Sequence, residues 1–231
     1  MNAQRYPDYT VPQGCAPDAV RTPALSVLLA TVQSRADLFA ILHAELSRQA
    51  EGRSVELVVA CDNKEISIGK KRQNLLEEAK GEYVSYIDDD DWISPNYIED
   101  ILSALTQAPD CIGFEIQCTH NGQNPQRAIA SMRYKHWADN RDGYRFCRST
   151  YHKTPVRREL ALKAGFPDLR YGEDKIYSER IMGLIKTEVF IKSTLYYYRF
   201  SSREKFADKY GFPKTFKKGV DPTHKRRPFH T

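Results

Sequence analysis

Apolar positions along the chain fall into short runs of two kinds. Leu25-Ser-Val-Leu-Leu-Ala30 and, about thirty residues later, Val55-Glu-Leu-Val-Val-Ala60 are nearly continuous apolar runs, the pattern of buried strands in a parallel sheet. Between them, residues 35–49 set Leu38, Ile41, Leu42, Ala44 and Leu46 at helical spacing with charged residues opposite, which predicts a crossover helix and a β-α-β unit. A second helical stretch over 70–80 runs up to Gly81, its expected C-cap, and Glu82-Tyr-Val-Ser-Tyr-Ile87 reads as a third strand. An amphipathic helix over 97–108 and an apolar strand over 111–118, interrupted by Gly113, follow. Alternation of this kind predicts an α/β fold, a mainly parallel sheet flanked by helices in a single domain.

The four consecutive acids Asp88-Asp89-Asp90-Asp91 end the third strand, and open α/β sheets bind ligands beyond the carboxyl ends of their strands. Carboxylates crowded in a partly desolvated crevice repel one another, and a divalent cation offsets that cost most simply. One or two carboxylates, with water and diphosphate oxygens completing the shell, are how Mg2+ or Mn2+ is held in phosphate-handling sites. The structural alternative is a solvated turn leading into a helix, with Ser94 as N-cap and Pro95 at the first helical position. That accounts for the helix start but not for four acids after Tyr-Val-Ser-Tyr-Ile. A second acidic pair, Glu173-Asp174, follows Gly172 and opens a segment over 175–186 with helical spacing of Ile176, Ile181, Leu184 and Ile185. Acids at a helix start are favoured by the macrodipole, so a purely structural role is open on local grounds; an Asp or Glu positioned there also suits general-base chemistry on a hydroxyl.

Composition adds direction rather than class. The 231 residues carry 35 Lys plus Arg against 30 Asp plus Glu, a formal net charge of +5. The excess gathers at the end, where residues 214–227 hold six basic side chains and one acidic one, a tail suited to a polyanion or to plain solvation. Cys15, Cys61, Cys111, Cys118 and Cys147 form no Cys-x-x-Cys pair and no dense framework, so neither a zinc site nor a disulfide scaffold is indicated and reduced thiols are expected. No apolar run is long enough to span a bilayer and the first residues lack the apolar core of a signal peptide, from which a soluble, cytoplasmic protein is expected.

The stretch from Ser67 through Gly69-Lys-Lys-Arg72 and Gly81-Glu-Tyr83 to Asp88-Asp-Asp-Asp91-Trp92 resembles the family 2 (GT-A fold) glycosyltransferases, matching their basic helix, Gly-Glu-Tyr strand and Asp-x-Asp signature in order. Gly172-Glu-Asp174 and Leu195-Tyr-Tyr-Tyr-Arg199 look like the family's Glu-Asp motif and the strand after it, so the resemblance covers roughly 24–200. It implies a GT-A (Rossmann-like) domain over 24–200, with a nucleotide-sugar-binding half at 24–118 and an acceptor half at 119–200. An irregular leader, 1–23, and the basic tail, 201–231, would flank it. At matching positions it implies that Thr31, Arg35, Asp62, Lys71, Arg72, Asp88 and Asp89 line the donor site and that Asp90, with Asp88, holds the metal. It also implies that Asp174 is the catalytic base of an inverting transfer, with Glu173 orienting an acceptor or a supporting arginine.

Two departures stand out. The usual Asp-Gly-Ser after the second strand is Cys61-Asp62-Asn63-Lys64 here, and four acids leave the Asp-x-Asp register open by one.

Between the acidic motifs, cations interleave with aromatics, and Trp137, Tyr144, Arg145, His152 and, further on, Arg180 are the acceptor-site candidates; an ordinary polar face explains the same pattern. The expected reaction moves a sugar from a nucleotide-diphosphate sugar, taken as a UDP-sugar, to a hydroxyl of a glycan or of a hydroxymethylated DNA base. The competing classes are a nucleotidyltransferase, disfavoured by the glycine-free Ala30-Thr-Val-Gln-Ser-Arg35 turn, and a non-catalytic nucleic-acid-binding module with a structural metal turn.

Overall fold

The computed structural model describes residues 22–200 apart from residue 121; the leader and the basic tail of the sequence reading lie outside the described residues, save for residues 22 and 23. Ten strands form one mixed sheet: β1 (Leu25–Val32), β2 (Val55–Asp62), β3 (Tyr83–Asp88), β4 (Trp92–Ile93), β5 (Cys111–His120), β6 (Gln123–Ala130), β7 (Ala138–Arg141), β8 (Tyr144–Arg148), β9 (Val156–Arg157) and β10 (Glu188–Phe200). The path runs β2-β1-β3-β9-β5-β6-β8-β7, with β10 pairing β5 and β4. Helices α1 (Ala36–Ala50) and α3 (Tyr97–Leu105) cover one face of the sheet; α2 (Ile68–Glu78), α4 (Arg158–Ala164) and α5 (Glu173–Met182) cover the other. The result is the α/β, mainly parallel architecture that the apolar pattern predicts.

β1 is central because it pairs in parallel on both sides, Leu25 with Val55 and Tyr83. Leu25, Val27, Leu28 and Leu29 are buried on alternating faces against the two helical layers, each worth roughly 1.5–3 kcal/mol relative to exposure. β2, by contrast, is an edge strand. Its run is as apolar as that of β1, yet Val59 is 39% exposed, because parallel pairing leaves it one neighbour and incomplete helical cover.

Three local expectations are corrected. α2 ends at Glu78 with Ala79 as C-cap in an extended conformation, so Gly81 is not a left-handed cap. Gly81 is required by packing instead: a Cβ there would meet the Ser26 Oγ at 2.5 Å and the Ser26 nitrogen at 2.6 Å. α3 starts after Asn96, not after Ser94, since Trp92 and Ile93 pair with Tyr197 and Tyr196 of β10 and hold the chain extended. The Ser94 carbonyl accepts from the Gln49 side chain at 2.9 Å and from the Tyr97 amide. β5 runs through Gly113 without interruption, and packing calls for glycine there too, because a Cβ would lie 2.6 Å from a Glu188 carboxylate oxygen and 2.8 Å from the Ala130 carbonyl.

Cys61, Cys111, Cys118 and Cys147 are free thiols. Among the described residues, no helix is long and apolar enough to cross a membrane.

Candidate active site

The carboxyl ends of β1, β2 and β3 lie side by side, Ala30 in register with Ala60 and with Asp88, so the turns after them meet at one edge of the sheet. A cavity of about 380 Å3 opens there, lined by Ala30, Thr31 and Val32 at the end of β1 and Arg35 after it, Lys64 and Ile66 before α2, Ile68, Lys71 and Arg72 on α2, Asp88 at the end of β3 with Asp89 and Asp90 after it, and Arg170 and Tyr171 before α5. Three segments distant in sequence therefore deliver its charged groups.

The four acids divide by environment. Asp91 is fully buried, ion-paired with Lys153, accepting from the Tyr196 hydroxyl at 2.8 Å and from the Arg199 amide at 2.9 Å. Asp89 is nearly so, accepting from the Thr31 hydroxyl at 2.8 Å and from Arg35 at 2.5 Å. Asp88 and Asp90 keep 25% and 30% of their side chains exposed toward the cavity. Alternation of this kind follows from the turn out of β3, in which the Asp91 amide bonds back to the Asp88 carbonyl.

Electrostatics sharpen the division. Burial pushes the Asp88 carboxyl up, but Lys153 at 2.6 Å and Arg72 at 2.8 Å outweigh it and hold the group well below the usual range. Asp90 has only Arg35, at 3.2 Å, and burial together with the neighbouring Asp91 pushes it up to about 7. Burial likewise raises Asp89 and Asp91 despite their cations. The cavity lining carries three carboxylates, Asp88, Asp89 and Asp90, and five cations, Arg35, Lys64, Lys71, Arg72 and Arg170; among the three acids Asp90 is the most weakly paired, with Arg35 alone at 3.2 Å.

Arg72 joins the two acidic motifs. Its side chain, 6% exposed, spans from Asp88 to Glu173 in the first turn of α5. Asp174 follows Glu173, is partly exposed, and lies close enough to add to the field at Arg72. Gly172, at φ 78°, turns the chain into this helix. Lys71 similarly ties Asp62 to the Thr31 carbonyl, donating to the latter at 2.8 Å, while Asp62 also accepts from the Lys64 amide at 3.1 Å. At this edge of the sheet Thr31, Arg35, Asp62, Lys71 and Asp89 thus form one bonded group, and Arg72 with Asp88 a second beside it.

The acceptor-side candidates are more scattered. Trp137 donates to the Ser178 hydroxyl of α5 at 3.2 Å and packs edge-on against Tyr151. Tyr144 and Arg145 lie on β8, the former bonded to Glu115 and the latter to Asn140. Arg180 is turned away, donating to the Ala164 and Gly165 carbonyls at the end of α4. His152 is buried between Tyr86 and Tyr151, with its Nε2 3.6 Å from Asp88, too far for a hydrogen bond; burial and the Arg72 charge lower its pKa to about 4, so the imidazole is neutral.

Sequence reasoning missed Lys153. It is buried at the focus of Asp88, Asp91 and the Tyr196 hydroxyl, 2.9 Å away, with the Tyr196 and Tyr198 rings within 5 Å. Nothing in the periodicity of Thr150-Tyr-His-Lys-Thr154 separates it from a surface lysine. Arg170 and Tyr171 were also missed, although their place just before Gly172-Glu-Asp174 was a usable signal.

The residues suit a hard divalent cation in one respect. Among the described residues no group of three or more His, Cys, Asp or Glu side chains converges as a preformed cage. Asp88 and Asp90 nevertheless present partly exposed carboxylate oxygens at the cavity, Asp90 with Arg35 as its one ion-pair partner, which fits a magnesium- or manganese-type ion completed by water and diphosphate oxygens.

A cleft of interleaved acids and cations beyond the carboxyl ends of parallel strands, in a mixed sheet with helices on both faces, has the arrangement of the GT-A fold. Residues 54–163, a little under half of the chain, match the model of glycosyl transferase family 2. Over 142 residues it is 25% identical to EpsH of Bacillus subtilis (strain 168), a protein whose name assigns it provisionally to the glycosyltransferases; the match covers 57% of this chain and 41% of EpsH. Among solved structures it resembles S. aureus TarS 1-349 in complex with UDP-GlcNAc, with TM-score 0.57 and 17% identity, and in complex with UDP, with TM-score 0.56. Each covers 80% of this chain and 63% of TarS 1-349. The chain thus spans less than two thirds of the length of these relatives.

Proposed function

We propose that the protein transfers a glycosyl residue from a UDP-sugar to a hydroxyl acceptor, with inversion at the anomeric carbon. The observation that carries this reading is the cavity itself: a nucleoside-sized cleft at the ends of β1 to β3, within the segment that matches the family, where Arg35, Lys71 and Arg72 alternate with Asp88, Asp89 and Asp90. The UDP and UDP-GlcNAc complexes of a protein with the same fold support the choice of donor.

In this reading the diphosphate of the donor lies between the cations of the lining, Arg35 among them, and Asp88 and Asp90. Those two acids would hold Mg2+ or Mn2+, which, when bound, neutralises charge developing on the departing diphosphate. Arg72 fixes Asp88 on one side and Glu173 on the other, so the donor acids and the first turn of α5 keep a set separation. Asp174 takes the proton of the acceptor hydroxyl as its oxygen bonds to the anomeric carbon and the bond to the diphosphate oxygen breaks. Residues 24–118 then act as the donor half and 119–200 as the acceptor half. The acceptor is a hydroxyl of a glycan or of a hydroxymethylated DNA base; the basic tail that bears on the second lies outside the described residues.

The test is calorimetric titration of the full chain with UDP and UDP-GlcNAc, with and without Mn2+, followed by a discontinuous assay for sugar release and transfer. Metal-dependent binding of UDP, with none of ATP, is expected. Equal binding of ATP, or binding indifferent to Mn2+ and to Asp90→Asn, refutes the reading.

A further inference from the structure

Among the described residues Tyr171, 91% exposed, stands out from the other exposed large hydrophobic side chains, the next being Leu169 at 41%. A lone exposed aromatic is unremarkable on a protein surface. Its position is not, since Tyr171 lines the proposed donor cavity, whose apolar lining residues are Ala30, Val32, Ile66 and Ile68 among mostly charged ones.

The backbone beneath the ring is fixed. Upstream, the Gly69 amide donates to the Leu169 carbonyl at 3.0 Å, Ser67 bonds to Asp168, and the Pro167 carbonyl approaches Gly69 so closely that a Cβ there has no room. Arg170 reaches across to the Lys64 carbonyl at 3.3 Å, tying the loop to the opposite wall. Downstream, Gly172 at φ 78° has open space around it, so the chain turns into α5 while nothing packs over Tyr171. A loop held by these bonds therefore presents an uncovered aromatic ring to a cavity whose lining includes Val32, Ile66 and Ile68.

We infer that Tyr171 is the stacking wall for the nucleobase of the donor, a specificity-determining residue outside both acidic motifs. Resting on the proposed donor reading, the inference adds which part of the ligand this face takes: a flat aromatic base, recognised by its π-face. Stacking of a base on an aromatic side chain corresponds to a roughly 5- to 150-fold change in affinity on truncation to alanine.

The test titrates the full chain and its Tyr171→Ala and Tyr171→Phe variants with UDP, UDP-GlcNAc and inorganic pyrophosphate, each with Mn2+. Expected are a UDP dissociation constant raised roughly 5- to 150-fold in Tyr171→Ala, a value within about twofold of wild type in Tyr171→Phe, and no change for pyrophosphate, which has no base. An unchanged melting temperature shows that both variants fold. Wild-type protein that binds UDP, with Tyr171→Ala within twofold of it, overturns this inference and leaves the donor reading standing. Weakened UDP-GlcNAc with unaltered UDP puts the ring against the sugar and overturns it too. Wild-type protein that binds no UDP refutes both.

Discussion

Replacing Lys153 with methionine tests whether the buried cation holds the acidic run together. Methionine keeps most of the stem and removes the charge that Asp88, Asp91 and the Tyr196 hydroxyl share. The side chains of Lys153 and Asp91 are 4% and 0% exposed, so water cannot replace the lost partner. Asp88 retains Arg72 at 2.8 Å, whereas Asp91 is left with one hydroxyl and one amide. Breaking a buried pair by removing one member costs about 3–5 kcal/mol. For a domain of this size that is a melting temperature lower by roughly 6–20 °C at pH 8.

The pH dependence carries the sharper test. In the wild type, burial lowers the Lys153 pKa but Asp88 and Asp91 raise it well above the ordinary lysine value, so its contribution is fully present throughout pH 5–8 and is lost only in strong alkali. Asp88, held well below the carboxylate range, contributes stability that is lost only as pH falls through that depressed value, below pH 5. Without Lys153, Asp91 loses the cation that opposes its burial, its raised pKa climbs further, and the native state binds a proton that the unfolded chain does not. Stability of the variant then falls as pH rises, and the gap to wild type is smaller at pH 5 than at pH 8. Melting followed by circular dichroism at both pH values measures this, and Lys153→Met/Asp91→Asn should recover at least about 1 kcal/mol over Lys153→Met, since removing both buried charges leaves none uncompensated. A loss under about 3 °C at pH 8, or an equal loss at both pH values, refutes the argument.

Asp174→Asn should lower kcat for sugar transfer by about 10²–10⁴-fold with the UDP dissociation constant within twofold, as loss of a general base requires; a turnover close to wild type removes Asp174 from that role. Asp90→Asn removes the least compensated carboxylate, so Mn2+ should no longer raise the melting temperature in the presence of UDP, checked by thermal shift across a metal titration. Gly81→Ala should cost about 1–3 kcal/mol in urea unfolding, since its Cβ would enter the space of the Ser26 backbone nitrogen; a cost below about 0.5 kcal/mol means that the strand entry yields more easily than the packing implies.

The alternation of β1, α1, β2, α2 and β3 is legible in the sequence because each element has its own periodicity, and so is the placing of Asp88 to Asp91 at a strand end. The family resemblance supplies the pairing of that run with Glu173-Asp174. What periodicity does not encode is the partner of each strand. The apolar runs of β1 and β2 look alike, yet one is central and the other an edge, because burial depends on neighbours that no local window contains. The β6–β8 extension escaped for the same reason. At the site, the sequence by itself determined that four acids must gather in one crevice. Tertiary structure alone decided which are satisfied internally and which face the cavity, since the answer rests on Lys153, 62 residues from Asp91, and on Tyr196, 105 residues from it. A buried charge is stabilised by whatever cation the fold brings within a few ångströms, and that distance is written in the sheet, not in the neighbouring residues.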